Sequence, residues 1–352
     1  MIFSTTVLNR VVSASAITAV VTFGPIFTAI AQAETINGAG ATFPAPLYER
    51  YAREVKKKYP DLAINYQAVG SGAGINQLIA GTVDFGASDS AMTDAEIAKV
   101  KNGVVLVPTA GGAVAVVYNL PVDNLKLSRK TLPAIFSGQI TKWDDPQIKA
   151  DNPGVNLPSQ PIRGIVRADS SGTSFIFTNH LSSISAYFKG RIGTSKSPNW
   201  TIPNVTKAKG NPGVAASVTR TPGAIGYVEY EYAQKNKLKA AQVQNKKGEF
   251  VAPSLQTANA ALETVTFPQN FRVFVDDPAT GYPIVGLTWL LLYKNYNNPA
   301  KADAVKKFVN WILTEGQQYN DDLQYTRIPS NVTNRVIQVV NSSVSATGTT
   351  KK

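Results

Sequence analysis

The sequence has no cysteine and a single histidine, His180, in 352 residues. Without cysteine there is no disulfide, no thiolate metal site, no cysteine nucleophile and no lipobox cysteine for lipid attachment. One imidazole leaves little for a Ser-His-Asp relay, and a zinc site normally draws on more. Charged residues make up only 16% of the chain, and acids are the scarcer sign, 23 Asp and Glu against 35 Lys and Arg. There is no G-x-S-x-G elbow and no G-x-x-x-x-G-K-[ST] loop. The two glycine-rich turns that approach G-x-G-x-x-G carry Phe43 and Ile75 at its sixth position. Serine hydrolase, nucleotide and dinucleotide chemistry all lose their usual signature on these grounds. No internal repeat is visible.

The N-terminus carries Arg10, then an uncharged stretch over residues 11–31, then Ala31-Gln32-Ala33 before Glu34. This is the pattern of a secretory signal peptide with a small-x-small cleavage site, so residues 1–33 are expected to be removed on export. The stretch is long enough to span a bilayer as an uncleaved anchor, but Gly24-Pro25 interrupts it and favours cleavage. The expected product acts outside the cytoplasmic membrane, with no lipid anchor. Its formal charge is one unit below the +12 of the whole sequence. Such a balance suits nucleic acid, anionic lipid or an anionic small ligand. Apart from Lys56 to Lys58 and Lys246-Lys247 the cations are scattered, and no basic strand is interleaved with aromatics. Nucleic acid is therefore not expected as a partner.

The remaining 319 residues or so suit more than one core, and apolar spacing alternates between strand and helix. Three strand-loop-helix junctions stand out. The first is Gly38 to Pro46, before a helix marked by Leu47, Tyr51 and Val55. The second is Gly70-Ser71-Gly72-Ala73-Gly74, before Ile75, Leu78 and Ile79. The third is Arg167-Ala168-Asp169-Ser170-Ser171-Gly172-Thr173-Ser174, before Phe175 and Phe177. Small hydroxyl residues and glycine at a helix start leave backbone N–H groups and the positive helix end facing outward. A capped helix that binds nothing explains any one of them. Three together, with Arg167 for charge, could surround a tetrahedral oxyanion through Thr42, Phe43, Ser71, Ser171, Gly172 and Thr173. Asp169 is close enough to hold the arginine. Asp89, after the strand Val83-Asp84-Phe85-Gly86-Ala87-Ser88, lies where open α/β sheets bind ligands. Further on, a β-rich segment over residues 104–120 is broken by Thr109-Ala110-Gly111-Gly112, a crossing between lobes. Residues 144–160 read as a Pro/Asp/Asn-rich loop, Lys246 to Glu249 as a hairpin tip, residues 284–293 as a strand and residues 301–314 as an amphipathic helix. Residues from 341 on form a Ser/Thr-rich tail, expected to be flexible. His180 falls within the helix that starts at Ser171 and is expected to pack.

GAGATFPAPLY, YQAVGSGAG, VDFGASD, RADSSGTSFIFT and TPGAIGYVEY resemble, in order and spacing, segments of the periplasmic phosphate-binding proteins of bacterial high-affinity phosphate ABC transporters. The likeness runs from about Thr35 to Leu323-Gln324-Tyr325, and RADSSGTS is its most specific part. It implies an α/β, two-lobed periplasmic solute-binding fold of type II, mixed sheets flanked by helices, with the ligand cleft between lobes. Residues 34–109 and 284–341 would form a discontinuous first lobe, 110–283 the second, and 342–352 the tail. It implies inorganic phosphate bound by residues matching Thr42, Phe43, Ser71, Asp89, Arg167, Ser171, Gly172 and Thr173, with Asp169 pairing the arginine and no metal, cofactor or catalysis. The implied partner is the membrane permease of a phosphate ABC transporter, met by a monomer. An ionised Asp89 can only accept hydrogen bonds, so it favours phosphate, which retains a proton, over sulfate. A receptor or sensor for sulfate or arsenate, or a secreted phosphatase using Ser71 or Ser171, are the competing readings.

Overall fold

In the computed structural model, which describes residues 34–346, strand β1 (Glu34–Gly40) lies between β2 (Leu62–Ala68) and β3 (Phe85–Ser88), parallel to both. Parallel neighbours need crossovers. Helix α1 (Ala45–Lys58) supplies the first and α2 (Ser71–Ala80) the second. Helix α1 buries Leu47, Tyr48, Tyr51 and Val55 and closes on Lys56 to Lys58, whose charge suits the negative helix end. Gly81, in the left-handed conformation, ends α2. Gly40 has φ +154, and a Cβ there would sit 2.0 Å from the Ala87 carbonyl oxygen. Only glycine lets β1 and β3 approach this closely beneath α2.

A capping box of Thr93 and Glu96 starts the short helix α3 (Asp94–Ile97). The strand β4 (Val104–Tyr118) follows, buried along its whole length. Next come β5 (Lys126–Leu127), α4 (Thr131–Phe136), α5 (Pro146–Asp151), β6 (Arg163–Arg167), α6 (Gly172–Ile184), α7 (Ala186–Arg191) and β7 (Thr206–Ala208). They lead to α8 (Gly210–Arg220), β8 (Ala224–Glu229), α9 (Tyr230–Lys235), β9 (Lys239–Ala240), β10 (Gln242–Gln244), β11 (Phe250–Val251) and α10 (Leu255–Leu262). Strand β12 (Val285–Tyr293), β13 (Asn295–Tyr296), α11 (Pro299–Leu313), α12 (Ser330–Ser343) and β14 (Ser345–Ala346) complete the order.

The main sheet runs β2-β1-β3-β12-β4-β8-β6-β7, with β9 also on β4. Two parallel trios, β2-β1-β3 and β8-β6-β7, are thus joined by the antiparallel strands β12 and β4. Strand β4 belongs to both halves. Residues 104–113 pair with β12 and residues 114–118 with β8. Each half has an aromatic cluster, and Phe274 links the halves by packing on both Phe175 and Trp289. Tyr48, Tyr66, Phe85 and Phe308 cluster on one side, and Phe136, Phe177, Trp200 and Tyr227 on the other.

Three readings of the sequence change. Thr109 to Gly112 do not end β4: its ladder to β12 skips Thr109 in a register shift and continues through both glycines. The loop before Gln160 contains α5, which Asp145 caps through Gln147 N–H and Pro146 opens. Residues 341–346 are not a loose tail. Val332, Val336 and Val340 bury one face of α12 through Ser343, and β14 pairs with β13. The expected signal peptide, residues 1–33, and the tail's end, residues 347–352, lie outside the described residues.

Candidate functional site

The three junctions meet where the halves face each other. Thr42 and Phe43 connect β1 to α1, Ser71 is the first residue of α2, and Asp89 follows β3. Arg167 ends β6, Ser171 caps α6, and Gly172 and Thr173 are its first residues. Thr42, Phe43, Ser71, Asp89, Arg167, Ser171 and Thr173 are each at most 4% exposed.

Hydroxyl groups define the chemistry. The Thr42 Oγ1 accepts from the Asn211 backbone N–H at 3.1 Å and from its Nδ2 at 2.9 Å. Thr173 Oγ1 accepts from Arg167 at 3.2 Å and from Asn211 Nδ2 at 3.1 Å. Ser71 Oγ accepts from Asp89 N–H at 3.2 Å and from Gly172 N–H at 3.0 Å. A hydroxyl has two acceptor sites and one hydrogen. With the acceptor sites taken, each of the three is left as a donor. Ser71 turns its hydrogen toward Asp89 Oδ2 at 3.5 Å. The N–H groups of Phe43, Ser71 and Thr173, all at helix starts, donate to no protein acceptor among the described residues.

Arg167 is held by its neighbour: Nε donates to Asp169 Oδ1 at 2.9 Å and a terminal nitrogen pairs with Oδ2. Asp169 Oδ1 also accepts from Gly210 N–H at 2.9 Å. Burial pushes the Asp169 carboxyl upward, but the arginine outweighs it and holds the group below the usual carboxylate range. Asp89 is the opposite case. Burial pushes it up to about 7, against the pull of Thr288, Arg167 and Ser71. Its Oδ1 accepts from Thr288 Oγ1 at 2.8 Å. That leaves Oδ2 toward Gly172, where an added Cβ would lie 2.6 Å away.

The Ser171 hydroxyl accepts from Ser174 N–H at 3.0 Å, which caps its own helix and leaves its hydrogen to donate. Phe43 offers its backbone N–H, with its ring buried in the core. His180 lies away from the site, and its Nδ1 donates to the Asp276 carbonyl at 2.8 Å. Burial lowers its pKa to about 4, so the ring is neutral. Asn211, Thr288, Glu229 and Tyr325 were not singled out from sequence. Thr288 had a signal, as the one aliphatic hydroxyl in VGLTWLLLY, and Glu229 ends a buried strand as Asp89 follows one.

The halves are closed on one another. Gly172 N–H reaches Ser71, Gly72 N–H donates to the Ser170 carbonyl at 2.9 Å, and Lys196 bonds Glu96 at 2.6 Å. The crevice reaching Asp89 between Phe175 and Trp289 measures about 10 Å³, no more than one water's worth of space. Among the described residues no group of three or more His, Asp or Glu could hold a metal ion.

Residues 28–315 match the model of the PBP superfamily domain. The chain is 39% identical over 317 residues to the phosphate-binding protein PstS of Pasteurella multocida, covering 88% of this chain and 91% of that protein. It is 39% identical over 313 residues to the phosphate-binding protein PstS of Haemophilus influenzae, covering 87% and 92%. A high affinity periplasmic phosphate-binding protein, PfluDING, solved with phosphate, superposes with a TM-score of 0.75 at 21% identity, covering 90% of this chain and 96% of that one. The phosphate-binding protein from Stenotrophomonas maltophilia gives 0.72 at 20%, covering 87% and 93%. These structures share the two-lobed fold.

Proposed function

This chain belongs to the PBP superfamily and, within it, to the family of phosphate-binding proteins PstS, and on that premise we propose that it binds inorganic phosphate in the periplasm and delivers it to a phosphate ABC permease. One observation carries the reading. Two buried hydroxyls, of Thr42 and Thr173, have both acceptor sites filled and keep a hydrogen to donate, beside the unpaired N–H groups of Phe43, Ser71 and Thr173 and the guanidinium of Arg167. Such an array stabilises an oxyanion and has no use for a cation or an apolar ligand.

Asp89 supplies discrimination. When ionised it accepts the proton that phosphate keeps and repels fully ionised sulfate. Because burial raises this carboxyl to about 7, the discrimination is itself pH-dependent. Below that value Asp89 takes up a proton and can donate to sulfate. Arsenate, with phosphate's shape and protonation, meets no exclusion. We read no catalysis here: Ser171 caps its own helix, the Ser71 hydroxyl meets only the Asp89 carboxylate at 3.5 Å, and His180 is neutral and remote.

In the transport cycle we propose, residues 34–109 with 284–341 act as one lobe and 110–283 as the other, closing on the ion. The permease then recognises the closed monomer. A cleaved signal peptide over residues 1–33 and the absence of a lipid anchor belong to the same reading. Calorimetric titration of phosphate-stripped protein with phosphate, sulfate and arsenate tests it. Tight binding of phosphate and arsenate with weak sulfate binding is expected, and tighter sulfate binding overturns it.

A further inference from the structure

Directly behind the site stands a second buried acid that touches no ligand position. Glu229 ends β8 with 0% exposure. Its Oε1 accepts from Glu231 N–H at 3.0 Å, capping α9, and its Oε2 lies 2.9 Å from the Tyr325 hydroxyl. That same hydroxyl lies 2.7 Å from the Phe43 carbonyl oxygen. A phenol has one hydrogen and a carbonyl has none. If Tyr325 donates to Phe43, an ionised Glu229 sets two bare lone pairs against each other at 2.9 Å. If it donates to Glu229, the same conflict arises at Phe43. Two bonds need two hydrogens, and of the three groups only Glu229 can bring the second.

We propose that Glu229 is a neutral carboxylic acid that donates through Oε2 to Tyr325, which donates to the Phe43 carbonyl, making Glu229 a positioning residue of the anion loop. The next carbonyl back, that of Thr42, accepts from the Tyr232 hydroxyl at 2.7 Å. Two phenols thus fix the peptide planes on either side of Phe43, and with them the direction of its N–H. The titratable groups that act on Glu229 are Tyr325, Glu231 and Asp89; its neighbour Tyr232 also feels Glu49 and Arg167. Burial first, then Glu231 and Asp89, hold its pKa well above the usual range. A neutral acid braces the loop without placing a charge against the incoming anion. An ionised one would oppose it.

The proton's location rests on the hydrogen-bond geometry alone, and its effect on binding rests on the proposed phosphate reading. Infrared spectra of the protein carrying Asp89→Asn, which removes the other raised carboxyl, should show the carbonyl band of a protonated acid at neutral pH. Adding Glu229→Gln should abolish that band, while Glu231→Gln should leave it. If Glu229→Gln removes no such band, the proton assignment is wrong. A ligand-independent check is thermal stability against pH. A raised folded pKa means that wild-type stability declines as pH rises above the unfolded carboxylate range, and Glu229→Gln should flatten that decline. A slope unchanged by the substitution also overturns the assignment.

For positioning, Glu229→Gln keeps a donor to Tyr325 and should bind phosphate within about threefold of wild type. Tyr325→Phe should bind about tenfold more weakly. Wild-type affinity in Tyr325→Phe overturns the positioning role. Wild-type protein that binds no phosphate overturns the functional reading instead, leaving the infrared result standing.

Discussion

On the β1–β2–β3 side, the groups that reach the site are Thr42, the Phe43 N–H, Ser71 and Asp89, with one acid and no cation. On the β6–β8 side they are Arg167 and Thr173, since the Gly172 N–H is spent on Ser71, and the one cation is already shared with Asp169. Neither wall is simply positive. An anion site built this way draws its affinity from oriented N–H and O–H dipoles preorganised at helix starts. In the proposed site, charge has a different task on each side, compensation by Arg167 and discrimination by Asp89. The second wall tolerates its acid because Arg167 lowers its pKa, whereas the first wall has no such partner and its acid rises toward neutrality.

That contrast can be broken most severely at Arg167. Arg167→Met leaves Asp169 half-buried without its cation, and we expect a loss of about 3–5 kcal/mol in denaturant unfolding together with loss of phosphate binding. Adding Asp169→Asn should restore stability but not binding. If binding returns as well, the arginine is only structural. Next in size is Gly172→Ala, whose Cβ would lie 2.5 Å from Ser71 Oγ and 2.6 Å from Asp89 Oδ2. The walls could no longer meet, and phosphate affinity should fall about 100-fold while small-angle scattering shows no compaction on adding phosphate.

A subtler change is Asp89→Asn, which should reduce the preference for phosphate over sulfate at neutral pH by at least about tenfold. In wild type the preference itself should shrink as pH falls below about 7, and a flat profile would falsify the assigned role. The stability sign is opposite to that of a salt-bridged acid. With its folded pKa raised, Asp89 binds a proton in the folded state that the unfolded chain releases, so its contribution fades as pH rises from its unfolded value toward about 7. Asp89→Asn should flatten that slope in a melting series. Smallest among these, Asn211→Ala removes the donor that primes Thr42 and Thr173, and should weaken phosphate by about tenfold without altering the sulfate preference.

Both walls were legible in the sequence to different depths. Gly70 to Gly74 and residues 167–174 announce helix starts through local chemistry, so Ser71, Ser171, Gly172 and Thr173 could be read without knowing the fold. Partners that arrive from afar could not. Asn211 reaches Thr42 across 169 residues, and Thr288 reaches Asp89 across 199. Which of many buried polar residues meet is decided by strand order, which composition does not encode. The same holds for the fold. Local periodicity revealed α1, α2, β8, β12 and α11. In contrast, two glycines suggested a break in β4 that its ladder with β12 overrides, and serines near the end masked the Val332, Val336, Val340 face of α12.

The ladder between β12 and β4 shifts register between Thr288 and Trp289, and Thr288 is the residue that grips Asp89. A bulge is where a strand bends most readily. The carboxylate proposed to read the ligand's proton is therefore gripped from the one place where the ladder joining the two halves slips, so a change in strand pairing there would move Thr288 and, with it, the hydrogen bond that orients Asp89.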